Sequence, residues 1–367
     1  MLEAKLNNLE YKGRVLETDA LHVWGASPIE APDGKIHAFF SAWEKGAPHA
    51  AWVISCKVYH AVADDLDSEF IVTGCVLEGR GGEAWDSWSI HNPSVTEIDG
   101  KYYMVYMGSD GSTLPYDQVS LSEHILEMQR KGEFKVPEDN AINPTSFNNE
   151  IWECYEKLVE SKRVGIAVAD DLDGDWTRLT EPERPTIDVN RESWDGVVTS
   201  NPALVKGLDG RIYLYYKSWN FESWAACHGN RKYGVAIADD ITGEFVKYDK
   251  NPILDFEFLG NNAQIEDACV FIYGDKFHMI ARDMGIENNT RGVYMTSQDG
   301  IQWSEPTTAF RELSYYSNEP LLGLEREGRF ERPQVLFQQG KPTALFCAVI
   351  GGKYGTSTSS ILKLKLD

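Results

Sequence analysis

The sequence contains no long apolar run: none reaches the roughly 18 residues that a membrane-spanning helix needs. It is also poor in positive charge, because 35 Lys and Arg stand against 57 Asp and Glu, which gives a formal net charge of −22. Such a charge repels nucleic-acid phosphates and anionic lipid surfaces, so we expect neither nucleic acid nor membrane as a partner. The opening residues lack the apolar core of a signal peptide. The sequence as written therefore predicts a soluble, cytoplasmic protein, and a periplasmic or secreted one if a leader precedes it.

Cysteine is scarce, and the six cysteines form no CxxC pair. Several of them lie in strand-like runs, which favours buried or inert thiols over disulfides, metal ligands or nucleophiles. They are Cys56, Cys75, Cys154, Cys227, Cys269 and Cys347.

Aromatic residues and glycines are abundant, with 11 Trp, 17 Tyr and 31 Gly. This composition favours aromatic-rich strands that are joined by many turns. The 367 residues suffice for two average domains or for one large all-β domain, so length alone does not decide.

A repeated unit decides between these alternatives. Trp85-Asp86 precedes Asn92-Pro93 just as Trp194-Asp195 precedes Asn201-Pro202, and the Asp lies six residues before the Asn in both copies. Each copy continues through a turn into an aromatic strand, and similar segments occur three more times along the chain. The predicted starts of the five inner strands are Ser27-Pro28, Asn92-Pro93, Asn201-Pro202, Asp267-Ala268 and Arg332-Pro333.

Five such units with four strands each predict an all-β fold, a five-bladed β-propeller that spans residues 1–367 as one domain. The last unit has too little sequence for four strands, so we expect residues 13–17 to supply its outer strand. The second unit is longer than the others, which predicts an insertion at about 109–162 with helices at 121–130 and 149–160. We expect this insertion to be either a lid over one face or an inert or dimer-forming element, and a homodimer is therefore one expected assembly.

The run 170–175 is rich in Asp and resembles a calcium-binding loop. Its sibling hairpins lack the full set of oxygen ligands, and no Glu closes the loop. The run therefore predicts a polar hairpin turn.

Acidic and aromatic side chains recur where the inner strands begin, and in a propeller these positions surround one mouth of the central channel. Carboxylates beside indoles indicate a sugar ligand, because apolar sugar faces stack on Trp and acids act on the glycosidic oxygen and on water. The predicted catalytic residues are Asp86, Asp195, Asp267, Glu331 and His91. The predicted substrate-binding residues are Trp24, Trp85, Asn92, Trp194, Asn201, Lys217, Trp219, Glu266, Arg282 and Arg332.

Each of these residues also has a structural alternative. Asp267 and Glu331 could form ion pairs with an arginine inside the ring. Asp86 and Asp195 could bond backbone amides of their own loops, and His91 could be a buried structural imidazole. A Trp at the seam between two blades could belong to the core.

Several motifs resemble known glycoside hydrolases. The five units, the segment 100–103, the Asp-Asp-Leu hairpins and the late Glu-Arg-Pro resemble the superfamily of families 43 and 32. Trp194-Asp195, Ile265-Glu266-Asp267 and Glu331-Arg332-Pro333-Gln334 resemble family 117, the exo-acting anhydro-galactosidases of red-algal polysaccharide breakdown. The resemblance implies an inverting hydrolase with one Asp as base, a second Asp that orients the site and an acid on the opposite face. Inverting enzymes hold the two carboxyl groups roughly 6.5–9.5 Å apart.

The chain departs from these families at the positions of the base and the acid. Family 43 has its base Asp before the Pro of the first inner strand, where this chain has Ser27, and the next two blades have Asn92 and Asn201. Family 117 is expected to have a His as its acid where this chain has Phe330. Since neither an amide nor a hydroxyl can act as a general base, the catalytic set is either displaced to the acids named above or absent.

Three functions stay open at this point. The leading one is an exo-acting glycoside hydrolase that removes a terminal sugar from an oligosaccharide, with His91, Glu331 or Glu266 as the proton donor. The alternatives are a phosphorylase like those of family 130, favoured by Glu266-Asp267, and a carbohydrate-binding propeller without catalysis. No cofactor is predicted, although a divalent cation in the channel, bound by His22 or His228, is an open alternative.

Overall fold

Five four-stranded antiparallel sheets form a five-bladed propeller, as a computed structural model shows. The structure describes residues 2–135, 149–221, 230–260 and 262–365. Each inner strand contacts the inner strands of the two neighbouring blades, which closes the ring. The predicted fold class is confirmed.

Helix α1 (Leu2–Leu6) and strand β1 (Leu9–Val15) open the chain, and the blades follow in chain order. The first blade contains β2 (Leu21–Glu30), β3 (Ile36–Glu44), β4 (Lys57–Ala63) and β5 (Ile71–Leu77). The second blade contains β6 (Ser89–Ile98), β7 (Lys101–Ser109), β8 (Arg163–Ala169) and β9 (Thr177–Arg178). The third blade contains β10 (Ser200–Lys206), β11 (Ile212–Ser218), β12 (Lys232–Ala238) and β13 (Val246–Lys247).

The fourth blade contains β14 (Gln264–Tyr273), β15 (Lys276–Met284), β16 (Gly292–Ser297) and β17 (Thr307–Phe310), and a short helix α4 (Leu313–Tyr316) follows it. The fifth blade contains β18 (Glu331–Gln338), β19 (Lys341–Gly351) and β20 (Thr356–Leu364). Its fourth strand is β1, which pairs antiparallel with β20, with Leu9 opposite Leu364. This confirms that the N-terminal segment supplies the outer strand, and the strand is longer than the predicted run 13–17.

Apolar side chains fill the spaces between neighbouring blades. Phe39 of the first blade and Met104 of the second are both fully buried in one such layer, and comparable layers separate the other pairs of blades. The second strand of each blade faces a neighbouring blade on both sides, so β7 and β11 are buried almost throughout. This double burial explains the aromatic runs in the sequence, because a strand that is buried on both faces needs no polar alternation.

A β-bulge interrupts every inner strand at an equivalent position. In each case two residues are skipped in the pairing with the second strand, and the first of them has a left-handed backbone with φ between 46° and 59°. These five residues are Gly25, Asn92, Asn201, Asp267 and Arg332. In the first blade, the residues equivalent to the Asn-Pro pairs are therefore Gly25-Ala26. The prediction that Ser27-Pro28 occupies this position is wrong by two residues. The inner strands also begin before the predicted positions.

The insertion in the second blade contains α2 (Gln118–Lys131) and α3 (Glu150–Glu160), which confirms the two predicted helices. Asp117 and Asn149 cap their first turns, each accepting a hydrogen bond from a backbone N–H three residues later. The apolar face of α3 packs against aromatic side chains at the mouth of the channel. The polar segment 137–144 between these helices, which its composition predicts to be a linker, lies outside the described residues. No helix among the described residues is long and apolar enough to span a membrane.

The cysteines in the described part of the chain are free thiols. Cys56, Cys154, Cys269 and Cys347 are buried, as predicted, whereas Cys75 is exposed. Cys227 lies outside the described residues.

Candidate active site at the channel mouth

A cavity of about 120 Å³ lies where the inner strands begin, and every blade contributes to its lining. The second strands end at the same face of the propeller, because each pairs antiparallel with its inner strand. The lining residues from the five inner strands include Trp24, Asn92, Asn201, Asp267 and Glu331. Tyr155 and Val159 of α3 form part of the wall, so the insertion covers one side of the cavity.

The five bulge residues, which we call the bulge ring, lie at the floor of this cavity, and hydrogen bonds join the four that belong to the second to fifth blades. Asn92 Nδ2 donates to Asn201 Oδ1 at 3.1 Å, and Asn201 Nδ2 donates to Asp267 Oδ1 at 2.5 Å. Arg332 completes the circuit, because its backbone N–H donates to Asp267 Oδ2 at 3.1 Å and its Nη2 donates to the carbonyl oxygen of Asn92 at 2.7 Å. A Cβ on Gly25 would lie 2.7 Å from Arg332 Cγ, so glycine leaves the room that this arginine needs.

Asp267 is the carboxylate at the floor, and both of its oxygens accept hydrogen bonds from the ring. Burial, together with the neighbouring Glu266 carboxylate, raises the pKa of Asp267 above its ordinary value, although Arg332 and Lys217 oppose the rise. Asp267 therefore lies at the channel mouth, as predicted. Its oxygens accept hydrogen bonds from the bulge ring and do not form an ion pair with a guanidinium group of the described residues.

Glu266 is the most open of the three carboxylates in the cavity, with 12% of its side chain exposed against 3% for Glu331. Its Oε1 accepts a hydrogen bond from Lys217 Nζ and lies 3.5 Å from Arg231 Nε. Arg282 Nη1 lies 3.4 Å from Oε2. Burial lowers the pKa of Lys217, and the Glu266 carboxylate opposes this change.

Glu331 is held by three guanidinium groups. Arg282 Nη1 lies 2.8 Å and Arg326 Nη2 lies 2.6 Å from its Oε2, and Arg329 Nε lies 3.1 Å from its Oε1. The three guanidinium groups donate charge-assisted hydrogen bonds to Glu331, an arrangement that suits an acceptor carboxylate and not a proton donor. Arg282 is 1% exposed and lies behind the carboxylates rather than on the cavity surface.

Aromatic side chains form the rest of the wall. Trp24 and Trp219 line the cavity, as predicted for stacking platforms. Sequence reasoning missed Trp43, His49 and Trp52, which also line it. Two of these lie in or beside the 3-10 helix His49–Val53, in the connection between β3 and β4. The signal that could have found them is topological, because this connection lies at the same face as the starts of the inner strands.

His91 lines the cavity, and its Nδ1 lies 3.1 Å from Cys56 Sγ. Burial lowers its pKa well below the ordinary value. Burial also lowers the pKa of His49 to about 3. Both imidazoles are therefore neutral near pH 7, and His91 is a weak candidate for the proton donor.

The structure does not bring Asp86 to the channel mouth. Its carboxylate is completely buried, accepts a hydrogen bond from Tyr106 Oη at 3.0 Å, and pairs with Arg178 Nε at 2.9 Å and Arg80 Nε at 3.2 Å. Since Arg178 belongs to the outermost strand of the second blade, Asp86 links the second strand to the outer edge of the blade. The indole of Trp85 stacks on Tyr106, with centroids 5.8 Å apart.

The third blade repeats this arrangement, which we call the Trp-Asp brace. Asp195 accepts a hydrogen bond from Tyr216 Oη at 3.1 Å and pairs with Lys247 Nζ of the outermost strand at 2.5 Å. Trp194 stacks on Tyr216, and a Cβ on Gly234 would lie 2.5 Å from its indole. The expectation that both Trp-Asp pairs face the channel mouth is corrected: Arg178 and Lys247, which pair with the two carboxylates, lie on outer strands, and neither Trp-Asp pair lines the cavity.

The channel cation that the sequence leaves as an alternative has no site among the described residues of the cavity, where no three metal-ligating side chains converge. His22 stacks on Trp43 with centroids 5.2 Å apart, and burial lowers its pKa to about 4. His228 lies outside the described residues.

Comparison with known proteins gives relatives by structure alone. No family model matches the chain, and no curated protein matches it. Among solved structures, the chain is similar to Zg3597, a family 117 glycoside hydrolase of the marine bacterium Zobellia galactanivorans, with a TM-score of 0.62 at 17% identity over 98% of this chain and 92% of that one. It is also similar to a structure described as a glycoside hydrolase, with a TM-score of 0.65 at 13% identity over 100% of this chain and 95% of that one.

A third similar structure is a family 43 β-xylosidase/α-arabinofuranosidase from a compost microbial metagenome. Its TM-score is 0.56 at 15% identity, and the alignment covers 98% of this chain and 96% of that one. At such low identities the likeness establishes a shared fold over nearly the whole chain.

Proposed function

We propose that the protein is a glycoside hydrolase that removes a terminal sugar from an oligosaccharide. The observation that carries this proposal is the convergence of Glu266, Asp267 and Glu331 with the indoles of Trp24 and Trp219 in one cavity. Carboxylates and indoles at this proximity are the groups that glycoside hydrolysis requires. The glycoside hydrolases among the similar structures support the same reaction class.

Exo-action is supported by the shape of the cavity. The bulge ring closes its floor, and α3 covers one side, so a chain end fits better than the middle of a polysaccharide. The names of the similar structures, a marine family 117 enzyme and a β-xylosidase/α-arabinofuranosidase, suggest an oligosaccharide of algal or plant origin.

Within this proposal Asp267 donates the proton and Glu331 acts as the base. The raised pKa of Asp267 suits a donor, and the N–H groups of Asn201 and Arg332 would stabilise the carboxylate that remains after the proton has left. The guanidinium groups around Glu331 hold its carboxylate in position, which supports its role as the base.

Inversion of configuration is part of the proposal, and it excludes two other carboxylate pairs. Glu266 and Glu331 share Arg282 Nη1 at 3.4 and 2.8 Å, and Glu266 and Asp267 share Asn201 Nδ2 at 3.5 and 2.5 Å. The oxygens within each pair are therefore closer together than the roughly 6.5–9.5 Å of an inverting pair. Among the three carboxylates that line the cavity, this leaves Asp267 and Glu331 as the pair for inversion.

The test is sugar release from a panel of algal and plant oligosaccharides, measured for the wild type and for Asp267→Asn and Glu331→Gln. We expect each substitution to lower kcat at least a thousandfold while the circular dichroism spectrum stays unchanged. An activated aryl glycoside needs no acid, so it should restore the rate of Asp267→Asn and leave Glu331→Gln inactive. Glu97→Gln, an exposed residue at the opposite end of an inner strand, is the matched control. Full activity of both variants would refute the assignment, and NMR of the first-formed anomer tests inversion.

A phosphorylase is the second candidate, favoured by the three cationic groups of Lys217, Arg231 and Arg282 around Glu266. Such a site could hold the phosphate that replaces water as the nucleophile. Turnover that depends on added phosphate and yields a sugar phosphate would establish it. Glycan binding without turnover under both conditions would instead establish a binding protein.

A further inference from the structure

A cluster of two histidines and one aspartate lies on the face of the propeller opposite the cavity, at the seam between the first two blades. His37 lies near the start of β3 and His60 lies on β4, both in the first blade. Asp173 lies in the turn between β8 and β9 of the second blade. The inner strands begin at the cavity and run away from it. Because successive strands are antiparallel, β3 begins at the end of its blade that is remote from the cavity, and the β8–β9 turn lies at the same remote end.

The three side chains are close enough to share one ion. One ligand atom from each lies within 4.8 Å of the other two. Asp173 Oδ1 is 3.9 Å from His37 Nδ1 and 3.8 Å from His60 Nδ1. Around a tetrahedral Zn²⁺ with Zn–N bonds of about 2.0–2.1 Å, neighbouring ligand atoms are about 3.3 Å apart. Closure onto an ion therefore requires Asp173 to move towards the two imidazoles, and it can do so because its side chain is 66% exposed.

The state of both imidazoles suits metal binding. They are buried, with 4% and 2% exposure for His37 and His60. Burial shields both imidazoles from bulk water, and the neutral imidazole is the form that binds a metal ion. The charged groups that act on His37 are Asp33, Asp171 and Asp173, opposed by Lys35, which leaves an excess of negative charge around it.

Neighbouring groups hold the ligands in place. Thr73 Oγ1 lies 2.8 Å from His60 Nδ1, and Phe39 stacks on the His60 ring with centroids 4.6 Å apart. Asp171 Oδ1 accepts a hydrogen bond from the backbone N–H of Asp173 at 3.0 Å, which fixes the turn. His37 Nδ1 and His60 Nε2 lie 2.9 Å apart, within hydrogen-bond distance, and an ion bound to both nitrogens would replace this contact.

We propose that His37, His60 and Asp173 bind a transition-metal ion of the Zn²⁺ class, which ties the β8–β9 turn of the second blade to the first blade. Two imidazoles and one carboxylate are a common ligand set for this ion, with solvent completing the coordination. The site does not contribute to the cavity, and it does not depend on the proposed hydrolase activity.

The test is titration of the EDTA-treated full chain with ZnCl₂ by calorimetry, with Co²⁺ absorption as a report on the ligand geometry. We expect one equivalent of Zn²⁺ to bind and to raise the Tm, and His60→Gln and Asp173→Asn each to weaken binding at least tenfold. Asp175→Asn, two residues further along the same turn and also exposed, is the matched control and should bind like the wild type.

Because Asp173 is exposed, its substitution should leave the fold intact, which circular dichroism checks. Absence of Zn²⁺ binding to the wild type would overturn the proposal. Equal affinity in wild type and Asp173→Asn would overturn it as well.

Discussion

At the scale of single residues, the backbone conformation of the bulge explains which residue types occupy it. A left-handed conformation is unfavourable for most residues and least so for Gly, Asn and Asp, which occupy four of the five positions. Arg332 is the exception, and its hydrogen bond to the carbonyl of Asn92 helps to hold it there. The Asn residues that replace the expected acids in the second and third blades are therefore members of the floor: Asn201 both donates and accepts through its side chain, whereas Asn92 donates through its side chain and accepts through its backbone carbonyl.

Gly25→Ala should lower the free energy of unfolding by about 2–4 kcal/mol. Alanine is strained in the left-handed backbone conformation of this position, and its Cβ would also lie too close to Arg332 Cγ. Gly82→Ala is the matched control, since Gly82 has φ of 60° and open space around it. The control should lose only about 1 kcal/mol. Urea unfolding measures both, and equal losses would contradict a role for Gly25 in accommodating Arg332.

The raised pKa of Asp267 predicts a pH dependence of stability. The folded protein binds this proton more tightly than the unfolded chain does, so the stabilisation is present below the ordinary pKa of Asp, about 3.9, and is lost as the pH rises through the raised value. Asp267→Asn removes this term. The free energy of unfolding of the wild type, relative to that of the variant, should therefore fall with rising pH in urea titrations, and a constant difference would refute the shift.

At the scale of elements, the strands, hairpins and inserted helices follow from the sequence because each is a local pattern that recurs. The β8–β9 pairing confirms the polar hairpin at 170–175. The error of two residues at Ser27 arose because Pro28 marks an inner strand as the other prolines do, whereas the bulge depends on pairing with the next strand. The role of the Trp-Asp pairs could not be read from sequence, because Arg178 and Lys247 meet these carboxylates only once the blade has formed.

The brace makes a prediction that separates it from a catalytic role. Asp195→Asn keeps the hydrogen bond from Tyr216 and loses the charge opposite Lys247, which is partly exposed and can regain water. We expect a loss of about 1–3 kcal/mol in the free energy of unfolding. The kcat for sugar release should stay within twofold of the wild type. A loss of kcat as large as that of Glu331→Gln would show that Asp195 belongs to the active site.

At the scale of the whole molecule, both ends of the chain meet in the fifth blade. Strand β1 covers the edge of β20, which would otherwise present unpaired backbone groups to solvent. Arg14 adds a link, since its Nε lies 2.5 Å from Glu319 Oε1 and its Nη1 donates to Thr358 Oγ1 at 3.1 Å. The insertion over the mouth is the other large-scale feature, and its part in a homodimer stays a prediction.

Removal of residues 1–15 should therefore leave an open ring with an exposed edge, and we expect aggregates on size-exclusion chromatography and a lowered Tm. Lys12→Ala, which removes only an exposed ion pair with Asp67, should behave like the wild type. A monomeric shortened chain with an unchanged Tm would show that the fifth blade does not need β1.

The bulge ring has one more consequence, which concerns when the cavity can exist at all. The circuit takes one residue from each of the second to fifth blades, and Trp24 of the first blade lines the cavity, so no blade holds a complete binding surface by itself. A partly folded chain that lacks any one of the second to fifth blades also lacks a link in the circuit, so ligand affinity should arise in one step as the last of these blades docks. A ligand in the cavity then favours the closed ring over every open form of the chain, and its occupancy measures how completely the propeller has assembled.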